Sequence, residues 1–145
     1  ENVAASALSR LPTVGKAREL AMDMLQFCNL LREKDRPVRT LSIAERKRLE
    51  ICRALATKPE LLLLDETAAG LNPKELDEAI ALINKIRARD ITIIVVEHIM
   101  KVIMSICDRI HAINYGQTIA EGTPEEVANN TEVIEAYLGE SYAQG

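Results

Sequence analysis

Two adjacent carboxylates, Asp65 and Glu66, directly follow four consecutive leucines at positions 61–64. Four apolar residues without alternation are typical of a strand that is covered on both faces, at the centre of a parallel sheet. The carboxyl end of such a strand is where open α/β sheets bind ligands. Asp65 could hold a magnesium ion there, and Glu66 could orient and deprotonate an attacking water. The alternative interpretation is a buried strand followed by a solvated acidic turn.

A histidine follows the next apolar run of the chain. Residues 91–96 are β-branched and do not alternate, which predicts a second buried parallel strand, and His98 lies two residues beyond it. Because parallel strands end at the same edge of a sheet, we expect Asp65, Glu66 and His98 to share that edge. His98 could donate a hydrogen bond to a phosphate. A single histidine after a strand is more often a surface or capping residue. The functional interpretation of His98 therefore depends on its predicted proximity to Asp65 and Glu66.

A helix start is the third candidate site. Ser42 precedes Glu45 by three residues, which is the spacing of a capping box and predicts a helix over residues 43–56. The amino end of a helix presents unpaired N–H groups and a positive dipole to an anion. In isolation, a well-capped helix start is the simpler interpretation. The candidate anion-binding residues are Leu41, Ser42, Ile43, Ala44 and Glu45.

The elements that must position these residues divide into two halves. Residues 1–57 show no strand pattern, and apolar residues recur at helical spacing from Ala17 to Leu31. From residue 60 onward strand and helix patterns alternate, which predicts a βαβ unit and an α/β fold class. The predicted elements are strand 61–65, a helix opened by Asn72 and Pro73, strand 91–96, a short helix over 99–106, strands 109–114 and 117–121, and a helix opened by Thr123 and Pro124.

Composition excludes several classes of function. The 145 residues are 48% hydrophobic and 28% charged, as expected of one ordinary globular domain, and no apolar run approaches the length of a membrane span. A net charge of −4 and an aromatic content of 3% argue against a nucleic-acid surface. The cysteines Cys28, Cys52 and Cys107 lack metal-binding spacing and are expected to be reduced thiols. The first residue is Glu1, so we expect a fragment or a processed piece.

In combination, these segments resemble the ATP-binding subunits of ABC transporters. Residues 41–45 are similar to the signature segment of that family, and residues 61–65 to its Walker B strand. Glu66 matches the catalytic glutamate, residues 69–72 (Ala-Gly-Leu-Asn) match the D-loop, and His98 matches the switch histidine. The resemblance to the ABC family continues through residues 116–127. Residues 68–73, 95–98 and 135–139 look most like the ATPase subunits of branched-chain amino-acid importers.

The resemblance implies a fold, a division into domains and a set of partners. The fold would be a partial P-loop NTPase core with parallel strands plus an α-helical subdomain. Residues 1–57 would form the helical subdomain that ends in the signature helix, and residues 58–145 the C-terminal half of the ATPase core. The partners would be a second ATPase subunit and transmembrane permease subunits, with no nucleic acid and no direct membrane insertion. The location would be cytoplasmic, on the inner face of the cell membrane.

The resemblance also implies roles for single residues, with ATP and Mg²⁺ as the bound groups. Asp65 would hold Mg²⁺, Glu66 would act on the hydrolytic water, and His98 would contact the γ-phosphate. Ser42 and the amides of Ala44 and Glu45 would contact the ATP of the opposite subunit. The remaining residues assigned to the nucleotide are Leu41, Ile43 and Asn72.

Several residues depart from the family pattern. Ile43 and Ala44 replace the central residues of the signature, and Thr67 stands where a proline usually follows the glutamate. Gly15-Lys16 is the only Gly-Lys pair, and Arg10 stands where a P-loop needs its first glycine, so this pair predicts a helix start. The Q-loop glutamine is expected upstream of Glu1. We therefore expect the intact parent to hydrolyse ATP and these 145 residues alone to be inactive.

Two alternatives remain open at this stage. One is a degenerate or non-catalytic fragment that serves as an interaction module. The other is a soluble ABC ATPase of the DNA-repair class, which should carry a long coiled coil or a basic surface. The P-loop strand of the family would lie between strand 91–96 and strand 109–115. Without it, we expect either that strand 109–115 moves against strand 91–96 and closes the gap, or that a strand of a second copy fills the gap. Of the two outcomes, self-association is favoured.

Overall fold

The computed structural model describes residues 1–138, which form two compact units, Glu1–Val96 and a second that starts at Glu97. Residues 139–145 of the predicted domain 58–145 lie outside the described residues, and so does Gly139 of the family-like segment 135–139. Within residues 1–138, no helix is both long enough and apolar enough to span a membrane.

The first half of the first unit is helical, as predicted. The apolar stripe of the second helix faces the core: Ala17 and Cys28 are fully buried, and Ala21 is 6% exposed. That helix ends where Asn29 takes a left-handed conformation with φ 56°. Gly15 lies in its first turn after the N-cap Thr13, which confirms a helix start at the Gly-Lys pair. The helices are α1 (Asn2–Ala7), α2 (Val14–Phe27) and α3 (Ile43–Leu55), with 3₁₀ turns at Leu31–Glu33 and Val38–Thr40.

A βαβ unit completes the first unit. Strand β1 (Leu61–Asp65) leads into helix α4 (Pro73–Arg87), and the chain returns in strand β2 (Thr92–Val96). The two strands are parallel, and their register places Asp65 opposite Val96. The predicted parallel pair is therefore confirmed, and β2 begins one residue later than predicted.

The prediction that both strands are covered on both faces is wrong for the described residues. Leu62 and Leu64 are each 4% exposed, whereas Leu63 is 68% exposed. On β2, Ile94 and Val96 are 54% and 61% exposed. Successive side chains of a strand point to opposite faces, and residues 1–138 cover only one face of this sheet. The strands therefore alternate in burial although their sequences do not alternate in polarity.

The second unit contains a hairpin among short helices. Strand β3 (Ile110–Asn114) pairs antiparallel with β4 (Gln117–Gly122). Tyr115 and Gly116 connect them with φ values of 47° and 77°, as a two-residue hairpin turn requires. Among the described strands, β1 pairs with β2 and β3 with β4. Whether strand 109–115 or a second copy fills the place beside strand 91–96 stays a prediction. The helices are α5 (Met100–Ile106), α6 (Pro124–Ala128) and α7 (Thr131–Leu138).

Candidate functional site

Asp65 ends β1 at the carboxyl edge of the parallel sheet. Its side chain is exposed, and its backbone lies opposite Val96 in the register. Within residues 1–138 no group of three His, Cys, Asp or Glu side chains could hold a metal ion. A single exposed carboxylate at a sheet edge nevertheless fits Mg²⁺, since this ion usually keeps several waters and takes one or two carboxylates together with substrate phosphates. The residues present therefore fit a magnesium ion that arrives with a phosphate ligand.

Glu66 has an unusual backbone conformation. Its φ is 44°, in the left-handed region, where a residue with a Cβ is disfavoured by about 1–2 kcal/mol. Three hydrogen bonds hold it. Its N–H donates to the carbonyl of Val96 at 2.9 Å, and its own carbonyl accepts from Ala69 N at 3.3 Å and from Lys47 Nζ at 2.6 Å. No local sequence pattern indicated this conformation or the role of Lys47.

The turn after Glu66 lies beside the start of α3. Gly70 takes φ 78°, a conformation that favours glycine. A Cβ placed at Gly70 would lie 4.0 Å from Cγ2 of Ile43. The structure therefore brings the signature-like segment 41–45 and the D-loop-like segment 69–72 together in one unit.

The start of α3 is a complete capping box, as predicted. Ser42 Oγ accepts from the N–H of Glu45 at 3.2 Å, and Glu45 Oε2 accepts from the N–H of Ser42 at 2.7 Å. Arg36 Nη1 lies 3.1 Å from Glu45 Oε1. The N–H of Ser42, and to a lesser extent Arg36, lower the pKa of Glu45 below its ordinary value. The Ser42 hydroxyl only accepts in this box, so its own proton is available for an anion.

The two residues that depart from the signature pattern differ in exposure. Ala44 is only 6% exposed, so its methyl group lies within the unit and leaves little surface at the helix start. Ile43 is 49% exposed, and Leu41 is 8% exposed. Of the two replaced residues, Ile43 is therefore the one that exposes a large side chain at this helix start.

Asn72 caps α4 in the same way that Ser42 caps α3. Its Oδ1 accepts from the N–H of Glu75 at 3.0 Å, and Glu75 Oε2 accepts from the N–H of Asn72 at 3.0 Å. Pro73 follows at the first helical position. The predicted cap is confirmed, and the side-chain oxygen of Asn72 is the acceptor in it. Its contact with a nucleotide stays a prediction.

His98 belongs to the second unit, two residues after the end of β2. Its side chain is 63% exposed, and its Nδ1 lies 3.8 Å from the fully buried carboxylate of Glu97. That carboxylate accepts from the N–H groups of His98 and Ile99 at 3.1 and 3.4 Å. Tyr137 donates its hydroxyl to the His98 carbonyl at 2.7 Å, which sequence analysis missed. The backbone of His98 is thus fixed while its ring stays exposed, and the shared edge with Asp65 and Glu66 stays a prediction.

Two family profiles match the chain. The family described as "ABC transporter" matches residues 2–69, and the family described as "Branched-chain amino acid ATP-binding cassette transporter" matches residues 117–143. The first match ends just after Glu66 and contains α1, α2, α3 and β1. The second covers β4, α6 and α7.

Two relatives are named for the same class of transporter as these profiles. The high-affinity branched-chain amino acid transport ATP-binding protein BraF of Pseudomonas aeruginosa is 47% identical over 127 residues, which are 87% of this chain and 50% of BraF. The protein of the same description named LivG, from Salmonella typhimurium, is 45% identical over 141 residues, which are 94% of this chain and 55% of LivG. The chain therefore spans about half the length of the curated relatives that it matches.

A solved structure shares the fold. CbiO1 from Clostridium perfringens, described as part of the ABC transporter complex cbiONQ, superposes with a TM-score of 0.79 at 30% identity. The superposition covers 92% of this chain and 53% of CbiO1. The predicted fold class, a partial P-loop NTPase core with an α-helical portion, is confirmed. Sequence and fold agree, and the chain belongs to the ABC transporter family as part of an ATP-binding domain.

Proposed function

We propose that this chain carries the water-activating and signature elements of an ATP-hydrolysing subunit in an ABC importer for branched-chain amino acids. The observation that carries the proposal is the backbone of Glu66. Three hydrogen bonds hold this residue in a disfavoured conformation directly after the exposed carboxylate of Asp65. Local backbone strain of this kind concentrates at functional sites, where surrounding contacts over-determine the geometry.

The proposed chemistry gives one role to each of three side chains. Asp65 would hold Mg²⁺, which supplies charge neutralisation at phosphate oxygens when it is bound. Glu66 would orient the attacking water and accept its proton. His98 would donate a hydrogen bond to the terminal phosphate. Most of the rate enhancement in phosphoryl transfer comes from such positioning and charge stabilisation.

The capped start of α3 would serve a second nucleotide. Ser42 has a hydroxyl proton to donate, and the amino end of a 13-residue helix favours an anion. In this proposal, α3 faces the ATP held by a second ATPase subunit, and Leu41, Ile43, Ala44 and Glu45 surround that contact. The further partners are permease subunits, and the subunit lies at the cytoplasmic face of the membrane without inserting into it.

The transported substrate is inferred from two lines of support. Residues 117–143 match a profile of branched-chain amino acid transporters, and two relatives above 40% identity carry that substrate in their names. The chain itself has no G-x-x-x-x-G-K sequence, so a phosphate-binding loop must come from residues beyond these 145. Alone, the chain is proposed to be inactive.

The competing proposal is an interaction module without catalysis, which Ala44, Thr67 and the missing phosphate-binding loop favour. A chimaera separates the two. In it, this chain replaces the matching 141 residues of Salmonella LivG. Mg²⁺-dependent ATP hydrolysis by the purified chimaera, together with leucine uptake in a strain that lacks LivG, is expected. The control is a LivG variant from which these 141 residues are deleted. A chimaera that folds and assembles but shows no hydrolysis above this control would contradict the proposed function.

A further inference from the structure

We infer that Lys47 is a positioning residue for Glu66, and that it ties the start of α3 to the candidate water-activating carboxylate of the same chain. This inference rests on the proposed function for its consequence in ATP hydrolysis. The contact itself is a property of the fold and can be tested without any nucleotide.

The contact joins a side chain of α3 to the backbone at the end of β1. Lys47 lies in the second turn of α3, two residues after Glu45 of the capping box. Its ammonium group donates to the Glu66 carbonyl at 2.6 Å, across 19 residues of sequence. A hydrogen bond from a charged donor is shorter and stronger than one between neutral groups. This bond is therefore a specific link between α3 and the backbone of Glu66.

The accepting carbonyl belongs to the strained residue. Glu66 has φ 44°, and its carbonyl also accepts a longer bond, from Ala69 N at 3.3 Å. Without the ammonium group, the segment that follows Glu66 is held less firmly, and φ of Glu66 can change toward the negative values that favour a residue with a Cβ. Because φ sets the direction of the Cα–Cβ bond relative to β1, such a change would move the Glu66 carboxylate.

The neighbouring basic residues of α3 do not share this role. Arg48 is paired with Glu78 of α4 at 3.0 Å, and Arg46 is exposed. Three consecutive basic residues thus have three different environments, and Lys47 is the one whose donor reaches the end of β1. Arg46 provides a matched control, since it is adjacent, basic and on the same helix.

The link has a functional consequence if α3 binds an anion. Ser42, at the N-cap, and Lys47 belong to the first two turns of one helix, so a shift of that helix start moves the donor that holds Glu66. Binding of an anion at the signature-like segment would thereby change the orientation of the Glu66 carboxylate in the same subunit. In a dimer with two nucleotides, Lys47 would relate one nucleotide site to the other.

Amide hydrogen exchange of residues 1–145 tests the contact. In Lys47→Met we expect the amides of Glu66 and Ala69 to exchange about tenfold faster, while the amide of buried Cys52 exchanges as before. In Lys47→Arg and in the control Arg46→Met, these two amides should exchange as slowly as in the parent chain. Equal acceleration at Cys52 would indicate general destabilisation and would overturn the positioning role. Unchanged exchange at Glu66 and Ala69 would overturn it as well.

The LivG chimaera tests the consequence. Lys47→Met is expected to lower kcat for ATP hydrolysis by about tenfold with little change in KM, because a positioning residue acts on the transition state rather than on nucleotide binding. Lys47→Arg should recover most of the rate. An unchanged kcat in Lys47→Met would contradict the inference. If no chimaera hydrolyses ATP, the proposed function fails, and the exchange experiment still decides whether Lys47 holds Glu66.

Discussion

The guanidinium group of Arg48 lies 3.0 Å from the carboxylate of Glu78, and this ion pair joins α3 to α4. Each of these helices begins with a capping box, at Ser42 and at Asn72. The backbone of Glu66 lies between the two helices in sequence and is bound to α3 through Lys47. Helix α3 is therefore joined both to α4, through Arg48, and to the strained glutamate, through Lys47.

Glu66 is expected to be the residue on which hydrolysis depends most. In the LivG chimaera, Glu66→Gln should lower turnover by about 10²-fold or more, the scale of losing a general base. The amide is nearly isosteric and cannot accept the proton of the attacking water. Steady-state release of inorganic phosphate measures the effect. Glu60→Gln is the matched control, since Glu60 is exposed just before the other end of β1. Unchanged turnover in Glu66→Gln would remove Glu66 from the catalytic role.

Ser42 has a structural and a proposed functional role, and two variants separate them. Ser42→Ala removes the N-cap oxygen and should lower the free energy of unfolding by about 1 kcal/mol. Ser42→Asn keeps a good cap and should keep stability, but it removes the hydroxyl group. Urea unfolding of residues 1–145 and ATPase activity of the chimaera are the two measurements. If Ser42→Asn is as stable and as active as the parent, the hydroxyl has no role in nucleotide binding.

The capping predictions show which parts of the fold depend on residues that are close in sequence. The helix starts predicted at Ser42, Asn72 and Thr123 are all present, and in the structure each is a capping box formed by two residues three positions apart. The same holds for the parallel strands β1 and β2, which need only two apolar runs and a helix between them. Short-range patterns of this kind can be recognised in a single sequence.

The features that sequence analysis missed depend on distant residues. Lys47 and Glu66 are 19 residues apart, and Tyr137 and His98 are 39 residues apart. Neither contact has a local pattern, since a basic residue on a helix and a tyrosine near the end of a chain are ordinary surface residues. The exposure of Leu63 was missed for a related reason: an unbroken leucine run does not reveal which face of the strand the rest of the chain covers.

Stability at acidic pH should depend on Glu45. Its pKa is lowered because its carboxylate accepts the N–H of Ser42 and lies near Arg36. The unfolded chain, in which the pKa of Glu45 has its ordinary value, then binds the proton more readily than the folded chain. The stabilisation is fully present above the unfolded pKa and is lost as the pH falls through the folded pKa.

Urea unfolding between about pH 6 and pH 3 measures this dependence. Glu45→Gln should lose less stability over that range than the parent chain. Some loss should remain, since the N–H of Thr123 lowers the pKa of Glu126 in the same way. Glu50→Gln, an exposed position on the same helix, should follow the parent. Parallel curves for Glu45→Gln and the parent would show that the capping box does not contribute through its charge.

Residues 1–145 alone are expected to bind Mg-ATP weakly and to hydrolyse none. The contacts that they offer are the carboxylate of Asp65, the imidazole of His98 and the start of α3. The sequence has no glycine-rich loop whose backbone N–H groups could enclose the β-phosphate. Isothermal titration calorimetry with Mg-ATP is the measurement, with Mg²⁺ alone as its control. A micromolar dissociation constant would show that the missing loop is not needed for binding.

The exposed face of the parallel sheet is expected to cause self-association. Leu61, Leu63, Ile94 and Val96 are 49%, 68%, 54% and 61% exposed there. In the described part of the chain β1 and β2 pair only with each other, so each strand has an unpaired edge. Unpaired N–H and C=O groups at such an edge recruit further strands, and large exposed apolar patches mark surfaces that associate.

Sedimentation velocity of residues 1–145 at several concentrations tests this expectation. The parent chain should form dimers or larger species as the concentration rises. Leu63→Lys places a charge on the exposed face and should shift the equilibrium to monomer, because the ammonium group would have to be desolvated in the associated state. Val14→Lys is the control, since Val14 is 55% exposed on α2, away from the sheet. A compact monomer at all concentrations, equal for the parent and both variants, would show that this face and these edges do not bind a second copy.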